Sequence, residues 1–144
     1  MAAAGHGQTF NVQIPDRTVR IDGDPLRLSQ AVNNLLQNAV KYTPADGHID
    51  FCAHVDGANL VVSVRDDGLG ISPTLLPHIF DLFAQSSRTI AASAGGLGIG
   101  LAVVKAIAAA HGGTASACSA GAGSGSQFLL RLPVIAVRQD VRYA

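Results

Sequence analysis

The sequence predicts an α/β (α+β) two-layer sandwich, with a mixed, mostly antiparallel sheet covered on one face by three helices. Three observations carry that expectation. Short segments with period-two alternation recur between turn signals, as in Ile49, Phe51, Ala53 and Val55. Three stretches carry helix-start signals or helical spacing, beginning near Asp24, Ser72 and Gly98. Two glycine clusters, Asp66-Asp67-Gly68-Leu69-Gly70 and Gly95-Gly96-Leu97-Gly98-Ile99-Gly100-Leu101, mark places where the backbone turns sharply or approaches another group closely. At 144 residues the chain suits one domain with its own core.

Taken in order, residues 9–14 and 17–21 read as short strands around Pro15-Asp16. Asp24-Pro25 opens the first helix, with Asp24 as N-cap and proline at the first helical position. Leu28, Val32, Leu35 and Ala39 share one face, with Leu36 beside it, and the helix ends near Tyr42 because Pro44 disfavours helical torsions at Thr43. Strand 49–55 and strand 60–65 follow, joined by Asp56-Gly57. Ser72-Pro73 starts a second helix through Leu75, Leu76, Ile79 and Phe80. Residues 84–97 are small and polar, with Arg88 as their one charge, and read as a loop. A third helix runs from Gly98 to His111 and stops at Gly112-Gly113. Strands 114–119 and 126–132 close the sheet across Gly121-Ala122-Gly123-Ser124-Gly125. Residues 1–8 read as a disordered end or cloning remnant, 9–133 as the domain, and 134–144 as a tail of weak strand character or a linker.

Composition excludes several classes. Ten basic residues against ten acidic ones leave no positive field for nucleic acid. Cys52 and Cys118 have no metal-ligand spacing and read as buried or idle thiols. The chain has no run of about 18 apolar residues, and its first residues lack the basic start and apolar core of a signal peptide. A cytoplasmic domain fits.

The candidate chemistry lies on the first helix and in the glycine clusters. Asn34, Asn38 and Lys41 fall in one narrow polar stripe beside the buried face. A carboxamide oxygen is a hard ligand suited to magnesium, and a lysine one turn on can neutralise phosphate; the same stripe also reads as a solvated helix face. Asp66 can accept from the exocyclic amine of a base, or simply end a strand in an Asp-Gly turn. Amides at a glycine-rich helix start favour phosphate. Together the two clusters suggest a nucleotide held by its base at one end and its phosphates at the other. Competing phosphate motifs are missing. No Gly-Lys pair ends a Walker loop. Leu101 and Val103 stand where a dinucleotide fingerprint requires glycine, and the protein-kinase loop signatures do not occur.

The order of these features resembles the ATP-binding catalytic domain of sensor histidine kinases, in the superfamily that includes gyrase, the mismatch-repair ATPases and a heat-shock chaperone. The resemblance covers about residues 9–133 and implies a Bergerat-type ATP-binding fold. Asn-Asn-Leu-Leu-Gln-Asn-Ala-Val-Lys-Tyr-Thr-Pro, residues 33–44, is similar to the family's N box. By that resemblance Asn38 binds magnesium, Asn34 and Lys41 hold phosphates, and Tyr42 lies along the base. Residues 64–71 resemble the first glycine box, which implies Asp66 as the adenine contact with Gly68, Gly70 and Ile71 around it. Ile79-Phe80-Asp81-Leu82-Phe83 resembles the F box, although Phe80 and Phe83 also suit a plain core role. Gly95, Gly96, Leu97, Gly98, Ile99, Gly100 and Leu101 resemble the second glycine box. Ser126 stands where the family often places a hydroxyl near the adenine aspartate. Residues 84–97 correspond to the ATP lid, where Gln85 and Arg88 resemble lids of hybrid kinases and Arg88 is implied to reach the γ-phosphate.

The implied activity is transfer of the γ-phosphoryl group of ATP, with Mg2+, to a histidine on a separate dimerisation domain of the same receptor, and onward to a response-regulator receiver domain. None of His6, His48, His54, His78 and His111 has the sequence context of that acceptor, so they read as surface or packing residues. Two rival readings stand beside this one. The first is a nucleotide-binding regulatory or docking module without phosphotransfer. The second is a hydrolysing relative, which the absence of glutamate between Leu26 and Tyr42 opposes.

Overall fold

The longest helix forms where the sequence supplies both of its ends. In this computed structural model, which describes residues 7–82 and 99–139, α1 spans Pro25–Tyr42. Asp24 Oδ1 accepts from the backbone N–H groups of Leu26 (3.0 Å) and Arg27 (3.3 Å), two of the donors that a helix start leaves unpaired. Thr43 leaves helical torsions for extended ones before Pro44, as the clash with a following proline requires. Sequestered on the inner face are Ala31, Leu35, Asn38, Ala39 and Tyr42.

The strands are β1 (Thr9–Gln13), β2 (Arg17–Arg20), β3 (His48–Asp56), β4 (Asn59–Asp66), β5 (Thr114–Cys118), β6 (Ser126–Pro133) and β7 (Ala136–Gln139); helix α2 covers Gly100–Ala110. Five strands form one sheet in the order β1-β3-β4-β6-β5. Its pairs are antiparallel except β1 with β3, which is parallel. Strand β6 shows the cause of layering most clearly. Ser126, Phe128, Leu130 and Leu132 are buried and alternate with half-buried Gln127, Leu129 and Arg131, the period of two that puts alternate side chains on opposite faces. Phe128, Leu130 and Leu132 share a core with Leu35 and Ala39 of α1, Val64 of β4, and Leu101, Val104 and Ile107 of α2. The helices lie on that face, as expected.

One expectation needs correction. The stretch after Ser72-Pro73 is not an α-helix. Ser72 caps a turn, with its Oγ accepting from Leu75 N–H at 3.2 Å, but only a 3-10 turn, Leu76–His78, follows. Pro77 is the reason: it has no N–H to donate and its ring blocks helix propagation. The described residues therefore hold two α-helices, not three. Strands β1 and β2 lie in different sheets. β2 pairs antiparallel with β7, in a separate two-stranded sheet reaching into the stretch read as tail or linker. Both cysteines are free thiols. No helix among the described residues is long and apolar enough to cross a membrane.

Leu130→Ala, at a fully buried position of β6, should cost about 2–5 kcal/mol. Leu26→Ala, at a position 80% exposed on α1, should change stability by no more than about 0.5 kcal/mol. Urea denaturation of the two variants checks the layering directly.

Candidate functional site

Asp66 ends β4 and is 4% exposed. A carboxylate at that depth needs partners. Its Oδ1 accepts from Gly68 N–H at 2.9 Å, and its Oδ2 accepts from the Ser126 hydroxyl at 2.9 Å. Ser126 sits directly opposite Asp66 in the β4–β6 register. The structure thus brings together two residues 60 positions apart that the sequence reading assigned to one contact.

The turn after Asp66 is fastened on every side. Leu69 N–H donates to Tyr42 O at 3.0 Å, tying it to the end of α1. From the β5–β6 connection, Gly125 N–H donates to Gly68 O at 3.1 Å and Gly123 N–H to Leu69 O at 2.6 Å. The same connection reaches Ile71, whose N–H donates to Ser119 Oγ at 3.0 Å. A Cβ on Gly68 would lie 2.1 Å from Tyr42 O. Gly70 adopts φ +71° and leaves no room for a side chain against Gly121 O, so glycine is required at both positions. Ile71 itself is buried in the core, and Phe80 is half-buried with its ring edge-on to Phe128 at 6.0 Å. Both belong to the packing of the core.

The stripe on α1 divides into three environments. Asn34 is half-buried and its Nδ2 donates to Gly100 O at 3.2 Å, joining the stripe to the start of α2. Asn38 is 7% exposed, and neither its Oδ1 nor its Nδ2 has a hydrogen-bond partner among the described residues. Lys41 places its ammonium 5.4 Å from the centre of the Tyr42 ring, within cation–π range. Tyr42 is buried, so its ring is part of the interior face of α1. At the start of α2, Ile99 is exposed and gives no side-chain cap, and the first turn holds no acidic residue. Gly100 begins the helix and Leu101 is buried in the core. Arg88, Gly95, Gly96, Leu97 and Gly98, like Phe83 and the lid read at 84–97, lie outside the described residues.

Several contributors were not singled out from the sequence. Asp67, read there as a solvated neighbour, clamps the start of β3: its Oδ1 accepts from His48 N–H and its Oδ2 meets His48 Nδ1, both at 2.8 Å. Gln8, left outside the domain by the sequence reading, is buried, and its Nε2 donates to Val40 O and Thr43 O at the end of α1. Ser119 bridges the Ile71 and Gly125 backbones. No local pattern marks these residues, because their partners lie 6 to 48 positions away. A concavity of about 510 Å3 lies across the open face of the sheet, lined by Phe51, Leu129, Asp50, Ser63, Arg65 and Gln127 among others. It contains none of the residues proposed for the site.

A profile of the family described as histidine kinase-, DNA gyrase B- and HSP90-like ATPases matches residues 23–136, which includes the α1 stripe, the Asp66 turn, the start of α2 and Ser126. The chain belongs to that ATPase family. Its relatives are sensor proteins, among them the sensor histidine kinases RcsC and TrcS. RcsC of Salmonella typhimurium is 38% identical over 128 residues, covering 89% of this chain and 13% of RcsC. KdpD of Escherichia coli is 38% identical over 98 residues, covering 68% of this chain and 11% of KdpD. TrcS of Mycobacterium tuberculosis is 41% identical over 104 residues, covering 68% of this chain and 20% of TrcS. The chain therefore spans about a tenth to a fifth of the length of these curated relatives. Among solved structures, the mycobacterial sensor histidine kinase MprB superposes with TM-score 0.78 at 27% identity, over 92% of this chain and 87% of that one. Full-length ShkA in complex with AMPPNP superposes with TM-score 0.75 at 32% identity, over 92% of this chain and 27% of that one. The fold of this ATPase-family chain is thus that of histidine kinase catalytic domains.

The Asp67 clamp has a pH signature. The His48 backbone N–H, foremost, holds the Asp67 carboxyl below its ordinary value near 3.8. A carboxyl lowered on folding contributes stability that is present above that ordinary value and is lost as pH falls through the folded one. Its side chain is 51% exposed, so the contribution is small. Asp67→Asn should be slightly less stable than the parent protein at neutral pH, and the gap should close as pH falls below about 4; thermal melts across that range measure it.

Proposed function

We propose that this domain binds Mg-ATP and donates the γ-phosphoryl group to a histidine on a separate dimerisation domain of the same receptor, as the cytoplasmic catalytic part of a two-component sensor. In this reading Asp66 takes the adenine amine, with Ser126 and Gly68 N–H holding its carboxylate in place. The phosphates lie between the α1 stripe and the start of α2, which has no side-chain cap among the described residues and whose first-turn amides favour anions.

The observation that carries the reading is Asn38. Its side chain is enclosed on a helix face, with both polar atoms unpartnered among the described residues. Leaving a buried polar group unsatisfied costs about 1–3 kcal/mol, a cost a folded domain tolerates where a ligand completes the group. A carboxamide oxygen suits magnesium, which keeps several waters and binds through substrate phosphates. The described residues offer no His/Cys/Asp/Glu cluster for a metal, so Asn38 Oδ1 is the protein ligand the site would supply. When bound, the ion would offset phosphate charge during transfer.

The chain's own work is placement. Asp66 fixes the base, Asn34 and Lys41 bracket the phosphates, and the α2 amides face the transferring group. The acceptor imidazole nitrogen attacks the γ-phosphorus. A P–N bond forms, the P–O bond to the bridging oxygen breaks, and ADP leaves with that electron pair. No nucleophile is needed from this chain. Hybrid-kinase likeness in the lid sequence, at Gln85 and Arg88, supports a receiver domain as the next phosphoryl acceptor.

Asn38→Leu should lower ATP affinity roughly tenfold or more in the presence of magnesium. It should leave folding stability unchanged or higher, since it removes an unpaired amide. Calorimetric titration and thermal melts read the two effects, and undiminished magnesium-dependent binding would refute the assignment. Asp66→Asn should erase the preference for ATP over GTP. Equal preference in both proteins would remove Asp66 from the base site. Labelled ATP with the cognate helical domain tests the transfer itself; binding without transfer would leave a regulatory module.

A further inference from the structure

An N-cap residue presents its own backbone N–H as well as its side chain, and in a capping box that N–H is accepted by Glu or Gln three residues on. Here the third position after Asp24 is Arg27, a donor without an acceptor atom. The acceptor comes from elsewhere. Asp24 N–H donates to His111 Nε2 at 3.0 Å, from a residue 87 positions away. His111 is the C-cap of α2, and its Nδ1 lies 2.8 Å from Ile107 O. Those two partners fix the neutral ring with its proton on Nδ1, leaving Nε2 to accept. Gly23 makes room for the ring: a Cβ there would lie 2.4 Å from His111 Cδ2.

The end of α2 therefore completes the start of α1, and at the opposite end Asn34 Nδ2 donates to Gly100 O. The two ties span ten residues of α1 and eleven of α2, about 15 and 16 Å of helix. The helices run antiparallel, and the ties fix how far one can slide along the other. That register decides whether the first-turn amides of α2 lie level with Asn34 and Asn38.

We infer that His111 is a positioning residue for phosphate binding, acting from the far end of α2 by locking its register against α1. The inference rests on the nucleotide reading above and adds a residue that touches neither base nor phosphate. It separates the two ends of the nucleotide, because the anchors of the Asp66 turn among the described residues are Tyr42, His48 and the β5–β6 connection.

The test compares His111→Leu with the double variant His111→Leu, Arg27→Glu. Glutamate at position 27 restores a local capping-box acceptor for Asp24 N–H but no tie between the helices. In His111→Leu, ATP affinity should fall about fivefold, the worth of one neutral hydrogen bond, while adenosine affinity stays within about twofold. In the double variant the melting temperature should recover and ATP affinity should stay low. Equal losses for adenosine and ATP, or recovery of ATP affinity together with stability, would overturn the inference by reducing His111 to a helix cap. The Asn34 side-chain amide resonances of the nucleotide-free double variant give a reading that needs no ATP. They should shift as the bond to Gly100 O loosens, and unchanged resonances would reject the tie. Wild-type protein that binds no ATP would instead strike the nucleotide assignment and leave the Asn34 reading to judge the register.

Discussion

The arrangement depends on one buried carboxylate and the backbone that surrounds it. Asp66 lies at the end of a central strand at 4% exposure, where an ionised group persists only with hydrogen bonds to its charged form. Ser126 and Gly68 N–H supply them, and each in turn requires a neighbour in place. Ser126 requires the β4–β6 register. Gly68 requires a side chain of no size, because Tyr42 O occupies the space a Cβ would take. The turn, the end of α1 and the β5–β6 connection therefore form one assembly, in which a shift of any part is felt by the carboxylate.

The other half of the site has opposite physics. Around Asp66 nearly every polar atom is answered, whereas Asn38 is enclosed with both amide atoms unanswered among the described residues. Satisfied groups make a rigid end that can select; an unsatisfied one makes an end with free energy to gain on binding. A nucleotide fits that polarity, with a selected base at one end and variable phosphate and ion chemistry at the other. The helices that bear the second end are not joined by sequence proximity. Two side-chain-to-backbone bonds, one at each end of α2, set their alignment.

Much of this was legible locally. The Asp24-Pro25 start and Thr43-Pro44 stop of α1 lie in adjacent residues and emerged as read. So did the inward positions Ile49, Phe51, Ala53 and Val55 of β3 and the glycine end of α2. The Asp66–Ser126 contact was legible only through family resemblance, since no local pattern pairs residues 60 apart. Ser72-Pro73 misled because a helix start and apolar spacing were weighed without Pro77, which limits the segment to one 3-10 turn.

The sequence by itself determined where α1 and most of the strands begin and end, and which residue types could meet a base, a phosphate or a cation. Those are short-range matters of torsion, capping and periodicity. Tertiary structure alone decided that β2 leaves β1 to pair with β7, that Gln8 caps α1, and that His111 accepts from Asp24. Each is one hydrogen-bonding choice among many that the same groups could make. Burial in a shared core selects the choice by bringing distant segments within 3 Å, and no periodicity along the chain records it.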